Sequence, residues 1–504
     1  MDRNATRFAL WVLLGSLLLQ AAWLLALPPF RGIDEFDHAY RAAAVARGGW
    51  VASGETSPEG RGELVVVPPG LVRDAAPVCD GLRYVGRHNC EPVRTLPDGR
   101  VVIASAASGY DPLFYWVIGT AARPFDGAAA LYAMRVTNAV LCSLLLATAA
   151  WVTARWSRTV WPRLGLLAVM TPVTVYGGVV AAPNALEAVA ALGVWVCLLG
   201  LRSASSEDRG RLLVLVGFFA VPLAVLRGLG PLWLAAAVGL AAVWLGWRRV
   251  AGLVSEHRGA SVVAAGVCAV AAVAGTVWTV WLGSLVLEDN PGVGSAWAAT
   301  ALSVPLWVLQ SIAAFPMRNE AAPAVVYATG ALVLGALCVA GLLRASGRDR
   351  VVLLLTAAAA LAVPVAVQVQ TFPDVGALWQ GRYGWPLAMG IVLMASAALD
   401  ERPPQHRLAT AALLPAVALW LVAHVVSVTD LVRDEQRLSP LAGDERWVTA
   451  PPWVVAVLAT AGVLAWAVGA LRPADPTDPR TTSTFQASKL WAASGKVPSS
   501  TSRA

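Results

Sequence analysis

The chain has 504 residues, of which 57% are hydrophobic and only 14% charged, with a formal net charge of +7. Soluble domains carry about 25% charged residues, so this deficit places most of the chain in lipid and excludes an ordinary soluble enzyme. The basic residues are scattered through short loops between apolar runs, a pattern that membrane topology produces and a nucleic-acid-binding patch does not.

A bilayer crossing takes about 20 apolar residues. Twelve stretches qualify as spans: 8–27, 132–154, 161–180, 182–201, 211–226, 231–247, 262–286, 322–343, 351–369, 383–399, 408–429 and 452–471. The first reads as an uncleaved anchor, because it is too long for a signal peptide and Pro28-Pro29 follow it without a small-residue cleavage site. The fifth is short and contains Pro222. Together they predict an all-α polytopic domain over 1–471, followed by a disordered tail, 472–504, rich in Pro, Thr, Ser and Asp. The only lysines, Lys489 and Lys496, lie in that tail; the arginine bias elsewhere reads as a GC-rich genome and carries no functional weight.

The short loops after even-numbered spans are rich in arginine. Those after spans three, five and nine hold only Arg227, plus Arg382 at the mouth of the next span. The positive-inside rule then puts both termini in the cytoplasm of a multi-pass plasma-membrane protein. Arg433, Arg437 and Arg446 in 430–451 are the exception. On this topology the long segment 28–131 is extracytoplasmic, as is a second outer segment, 287–321, which includes an apolar stretch (302–315) too short to span comfortably.

The first loop is too long to be a mere connection. Residues 34–48 read as a juxtamembrane helix with an apolar stripe of Phe36, Tyr40, Ala43 and Ala44. Residues 64–68 and 101–104 read as short strands, and the aromatic run 111–118 as an interfacial segment. Cys79 and Cys90 share this loop and are expected to form a disulfide if it faces an oxidising compartment. Cys142, Cys197, Cys268 and Cys338 lie in apolar runs and read as small buried hydrophobes.

The densest polar cluster is Gly32–Ala42, GIDEFDHAYRA. On a helix, Asp34, Asp37, His38 and Arg41 fall at i, i+3, i+4 and i+7, on one face. The topology brings to the same membrane surface Glu35, Asp111, Asn184, Glu187, Arg227, Arg318, Glu320, Gln380, Arg382 and Tyr383. Carboxylates and arginines gathered at one depth suit the transfer of a sugar from a polyprenyl phosphate to an acceptor hydroxyl. A carboxylate takes the hydroxyl proton, and arginine forks hold the leaving phosphate. Nucleotide sugars are charged and cytoplasmic, so an outward-facing site needs a lipid-carried donor.

Structural readings stand beside these. Asp34 can simply cap a helix, and Asp37 with His38 can be a solvated ion pair. Asn184 and Glu187 sit where a helix dipole favours a carboxylate, and Arg227 can snorkel from a Gly-rich turn. Arg382 enters a span, where an ionisable group without a partner is expensive. His88, His257, His406 and His424 show no zinc spacing.

Pro28-Pro29, Asp34-Glu35, His38, Arg41-Ala42 and Gly48-Gly49 resemble the N-terminal signature of the DUF2142 membrane proteins. Gln380-Gly381-Arg382-Tyr383 with Pro386 resembles that family's late Gly-Arg-Tyr segment, so the resemblance covers roughly residues 8–430. Ala182-Pro183-Asn184-Ala185-Leu186 departs from the family's Asn-Pro-Asp-Ala-Leu step by carrying Asn184 in place of the Asp. The family is similar to GT-C glycosyltransferases, which have a large first outer loop with juxtamembrane helices and an acidic base there. The resemblance implies Asp34 as base, with Glu35 assisting it or coordinating a divalent cation such as magnesium or manganese. The function expected is an inverting transfer from a polyprenyl-phosphate sugar to a cell-envelope glycan or glycolipid, with Asp37, His38, Arg41, Asn184, Glu187, Arg227, Arg318, Gln380, Arg382 and Tyr383 binding substrate. The composition hints at an actinobacterial envelope. The alternatives are a secondary transporter of an envelope precursor, which would show repeat symmetry and a midplane site, and a non-catalytic envelope-assembly protein.

Overall fold

Helix α1 (Arg3–Ala26) stops just before Pro28-Pro29, where proline forces the preceding residue out of the helical region. A tight turn follows in which Phe30 and Asp34 both take positive φ, and α2 (Glu35–Val45) starts immediately after it. The computed structural model describes residues 3–51, 53–56, 62–80, 89–282, 292–315, 321–404, 406–442 and 450–471. The tail 472–504, Arg318 and Glu320 lie outside that set.

The first long loop folds as a small α/β module on top of α2. It comprises β1 (Glu63–Val67), α3 (Pro69–Asp80), β2 (Arg94–Thr95), β3 (Val101–Ser105) and α4 (Pro112–Ala122). The strands run antiparallel in the order β1-β3-β2, with Glu63 opposite Ser105 and Val67 opposite Val101. The two expected strands therefore pair with each other. Cys79 and Cys90 are joined in a disulfide with 5.4 Å between their Cα atoms. The α2 stripe of Phe36, Tyr40, Ala43 and Ala44 is buried in one core with Val65, Val67, Ile103, Phe114, Ile118 and Leu131.

Helices make up the rest of the described chain. In order they are α5 (Gly127–Trp156), α6 (Trp161–Ala168), α7 (Pro172–Gly177), α8 (Asn184–Gly200), α9 (Ser206–Val225), α10 (Gly230–Leu245), α11 (Trp247–Glu256) and α12 (Arg258–Val277), which a π-helical turn (Trp278–Leu282) continues. After them come α13 (Ala296–Ile312), α14 (Ala324–Arg344), α15 (Gly347–Val375), α16 (Gly381–Glu401), α17 (His406–Ala442) and α18 (Pro452–Leu471). Among the described residues, 8 helices are long and apolar enough to cross a membrane, or up to 9 if α10 and α11, bent by 102°, form one broken span.

The expected twelve spans therefore need correction in the middle of the chain. Residues 161–180 form two short helices, because Pro172 lacks an N–H and disfavours a helical Thr171. Helix α8 has only 17 residues. Helix α9 carries Asp208, Arg209 and Arg211 in its first two turns. Burial in the bundle makes the broken stretch tolerable: the Asn138 side-chain amide on α5 donates to the Val180 carbonyl at 2.8 Å.

Helices α8 and α16 span the distance between two different chemical settings. At their C-terminal ends Arg202 pairs with Asp349 and Glu401, both at 2.8 Å, and Arg155 pairs with Asp208. There too Asp400 accepts the backbone N–H groups of Arg158 and Thr159. At their N-terminal ends stand Glu187 and Arg382.

Candidate functional site

Asp34 precedes α2 with φ 52°, a left-handed conformation uncommon outside glycine and tolerated by Asp and Asn. Its side chain makes no capping hydrogen bond to α2, so capping does not account for this residue. Instead its Oδ2 lies 3.9 Å from the Arg382 guanidinium, and its side chain keeps 24% exposure. Backbone strain of this kind costs of order 1–3 kcal/mol and persists where the surroundings over-determine it.

Arg382 is the second residue of α16, and Gly381 places it. The Gly381 N–H donates to the buried Gln310 side-chain oxygen at 3.0 Å. A Cβ at Gly381 would fall inside contact distance of the Trp307 carbonyl on α13. Arg382 lies 4.9 Å from the Tyr383 ring centroid, and Arg227, from the α9–α10 turn, lies 4.4 Å from the same ring. One aromatic ring thus holds two guanidinium groups together through cation–π contacts. Arg227 is also 3.5 Å from Glu187 on α8. The Nε atoms of both arginines are buried and have no hydrogen-bond partner among the described residues.

His38 joins this cluster. Its Nδ1 lies 2.7 Å from the Tyr115 hydroxyl, and its ring packs edge-on to Tyr110. Burial lowers the imidazole to about 4 against the opposing effect of Asp34, and Arg227 and Arg382 depress it further. At neutral pH His38 is therefore uncharged and contributes a hydrogen-bonding ring rather than a cation.

The expected single face of α2 divides. Asp37 turns to the module: its Oδ1 accepts the Ala106 N–H at 2.7 Å, and its carbonyl accepts from the Ser105 hydroxyl. Arg41 donates to the carbonyls of Gly49, Trp50 and Tyr110 at 2.8 to 3.0 Å, fastening the Tyr110 segment to α2. Asp111 caps α4 by accepting the Leu113 N–H.

Glu35 is fully buried. It accepts Nε and Nη2 of Arg135 at 2.8 and 2.5 Å, the Gly32 N–H at 3.1 Å and the Ala181 N–H at 3.2 Å. Arg135 completes the arrangement by donating to the carbonyls of Leu27 and Pro28, which locks the turn that presents Asp34. With both Glu35 oxygens engaged, the pairing expected of it with a divalent cation finds no fit. Among the described residues no group of three or more His, Cys, Asp or Glu gathers to hold a metal.

Beside Arg382 opens a small cleft of about 30 Å³. Ile33, Tyr176, Val180, Asn184, Arg382 and Trp385 are among the residues lining it, so Asn184 belongs to its wall. Trp385 is oriented by donating its indole N–H to the Val169 carbonyl at 3.1 Å. Gln380 is buried at the head of α16, with its side-chain oxygen unpartnered among the described residues. Sequence reasoning missed Arg135, Tyr110, Tyr115 and Trp385. The available signal for Arg135 was an arginine inside an apolar run, which demands a partner.

Solved structures of ArnT are among those the chain is similar to. One is the crystal structure of ArnT from Cupriavidus metallidurans bound to undecaprenyl phosphate, at 16% identity and a TM-score of 0.42, covering 92% of this chain and 76% of that one. Another is the apo state of ArnT from the same organism, at 16% identity, a TM-score of 0.39 and the same coverage. No curated protein matches. Residues 17–391 match the family described as predicted membrane protein, DUF2142. With that match over most of its length, and with helices apolar enough to cross a bilayer repeatedly, the chain is a multi-pass membrane protein of the DUF2142 family.

Proposed function

We propose that this protein is a GT-C-type glycosyltransferase that moves a sugar from a polyprenyl-phosphate donor to a hydroxyl of a cell-envelope glycan or glycolipid. The observation that carries the proposal is the contrast between two kinds of ion pair. Glu35 and Arg135 are closed, with contacts of 2.5 and 2.8 Å. Asp34 with Arg382 and Glu187 with Arg227 stand at 3.9 and 3.5 Å, longer than charge-assisted hydrogen bonds of about 2.7–2.9 Å. Two guanidinium groups gathered on one ring, their ion pairs open and their buried Nε atoms unpartnered among the described residues, suit a phosphate entering between them.

In the proposed reaction the acceptor hydroxyl gives its proton to Asp34 while its oxygen attacks the anomeric carbon. The bond from that carbon to the phosphate oxygen breaks, and Arg382 and Arg227 receive the charge that develops on the leaving polyprenyl phosphate. Direct displacement inverts the anomeric carbon. Glu35 acts as a positioning residue, holding the turn on which Asp34 sits. The apolar wall of Ile33, Val180 and Trp385 takes the sugar-bearing end of the lipid. The site lies at the ends of α8 and α16 remote from the arginine-rich turns, which by the positive-inside rule supports an extracytoplasmic site.

Purified protein supplied with candidate polyprenyl-phosphate sugars and envelope acceptors tests this. Asp34→Asn is expected to lose about 10²- to 10⁴-fold in turnover at unchanged donor affinity. Arg382→Ala is expected to weaken donor use. Full turnover in Asp34→Asn would remove Asp34 as base.

A further inference from the structure

Helix α11, at the arginine-rich end of the bundle, is little covered by protein. It leaves α10 at an angle of 102°, through Gly246 with φ 88°, and only Leu253 of its ten residues is buried. Trp247, Val250, Ala251 and Val254 fall at i, i+3, i+4 and i+7 and form one apolar face, on which Trp247 is 81% and Val254 49% exposed. Arg248 and Ser255 flank that face, and Arg249 and Glu256 lie opposite it. Neither Arg248 nor Arg249 pairs with a carboxylate among the described residues, whereas Glu256 is held by Arg209 at 3.8 Å and by the Ser206 hydroxyl.

These contacts fix the level of α11 along the bundle. Ser206 and Arg209 start α9, and Arg348 at the start of α15 donates to the Val243 carbonyl just before the bend. The helix therefore lies at the same bundle end as the Arg202–Asp349 and Arg155–Asp208 pairs.

We propose that α11 lies flat in the membrane interface at this end and binds anionic phospholipid headgroups. Its apolar face dips among the acyl chains while Arg248 and Arg249 reach lipid phosphates. Charge identifies the occupant. Two arginines without carboxylate partners among the described residues, next to an apolar face on which Trp247 is 81% and Val254 49% exposed, complement a negative lipid surface. The alternative, α10 and α11 as one broken span, would draw Arg248, Arg249 and Glu256 towards the hydrocarbon, where charged groups are expensive.

Hydrogen–deuterium exchange of the full-length protein in nanodiscs tests this, comparing pure phosphatidylcholine with a mixture holding about a third phosphatidylglycerol, enough to give a negative surface. Each arginine near an anionic surface contributes roughly a fivefold preference, so the pair favours the docked state by roughly 30-fold. Slower exchange of the 247–256 peptide in the anionic discs is expected, with α1 peptides unchanged. Arg248→Gln with Arg249→Gln should abolish the lipid dependence, and Trp247→Ser should weaken protection in both lipids. Equal exchange in the two lipids overturns the proposal. Strong protection in both lipids that ignores the arginine changes also overturns it, in favour of a broken span. Neither result depends on any enzymatic activity.

Discussion

Replacing Arg135 by methionine separates the structural from the chemical reading of the Asp34-Glu35 pair. Both partners in the Arg135–Glu35 ion pair have side chains with 0% exposure. After the change, Glu35 retains only the Gly32 and Ala181 N–H donors, at 3.1 and 3.2 Å, for a carboxylate sealed from water. The carbonyls of Leu27 and Pro28 lose their guanidinium as well. Removing one member of a buried pair costs about 3–5 kcal/mol, because the other charge stays behind. For a chain of this length a loss of about 4 kcal/mol lowers the unfolding midpoint by roughly 4 °C. The assay is thermal unfolding of the purified protein in detergent, with turnover scaled to the folded fraction. Glu35→Gln should destabilise comparably, since it strands Arg135 instead. The double variant should recover part of the loss, because the second change removes the charge left by the first. A Glu35→Gln protein that melts with the wild type yet has lost turnover would refute the positioning role and return Glu35 to the chemistry.

Two further outcomes follow from the geometry. Gly381→Ala should push the first turn of α16 off the Trp307 carbonyl of α13 and displace Arg382; polyprenyl phosphate should then bind roughly tenfold more weakly, the loss of one charged hydrogen bond, and wild-type affinity by titration would refute that account. His38 takes its proton near 6.5 when unfolded and at about 4 when folded, so the unfolded chain binds it first. The stability it contributes is whole above pH 6.5 and falls by about 3 kcal/mol as pH drops from there towards 4. His38→Asn should flatten that part of the stability–pH curve, and an unchanged acid slope in the variant would count against it.

The fold was legible wherever burial follows a simple period. Phe36, Tyr40, Ala43 and Ala44 announced α2, and two short β-branched runs announced a pair of strands that do meet. Hydropathy failed over 161–180 because it measures how apolar a segment is, not whether its backbone stays helical. Thr171-Pro172 and the stretch leading to Pro183 break the helix inside a largely buried region, and Asn138, from another helix, takes up a freed carbonyl. No window confined to residues 161–180 contains that compensation.

Legibility of the site follows a similar rule with a sharper limit. Glu187, Arg227 and Arg382 stood out because a charge at the mouth of an apolar run needs a reason. The structure brings them together with Asp34, His38 and Tyr383. Arg135 satisfies the same criterion, yet its partner is 100 residues away, and a single sequence has no means of pairing them. The adjacent carboxylates show why residue type alone is not enough. Asp34 sits in a left-handed turn and Glu35 begins the helix, so the two side chains reach different partners. The left-handed turn at Asp34 is what separates them. It sends Asp34 towards Arg382 and leaves Glu35 to close on Arg135, so that two neighbouring acids take up different tasks through backbone geometry.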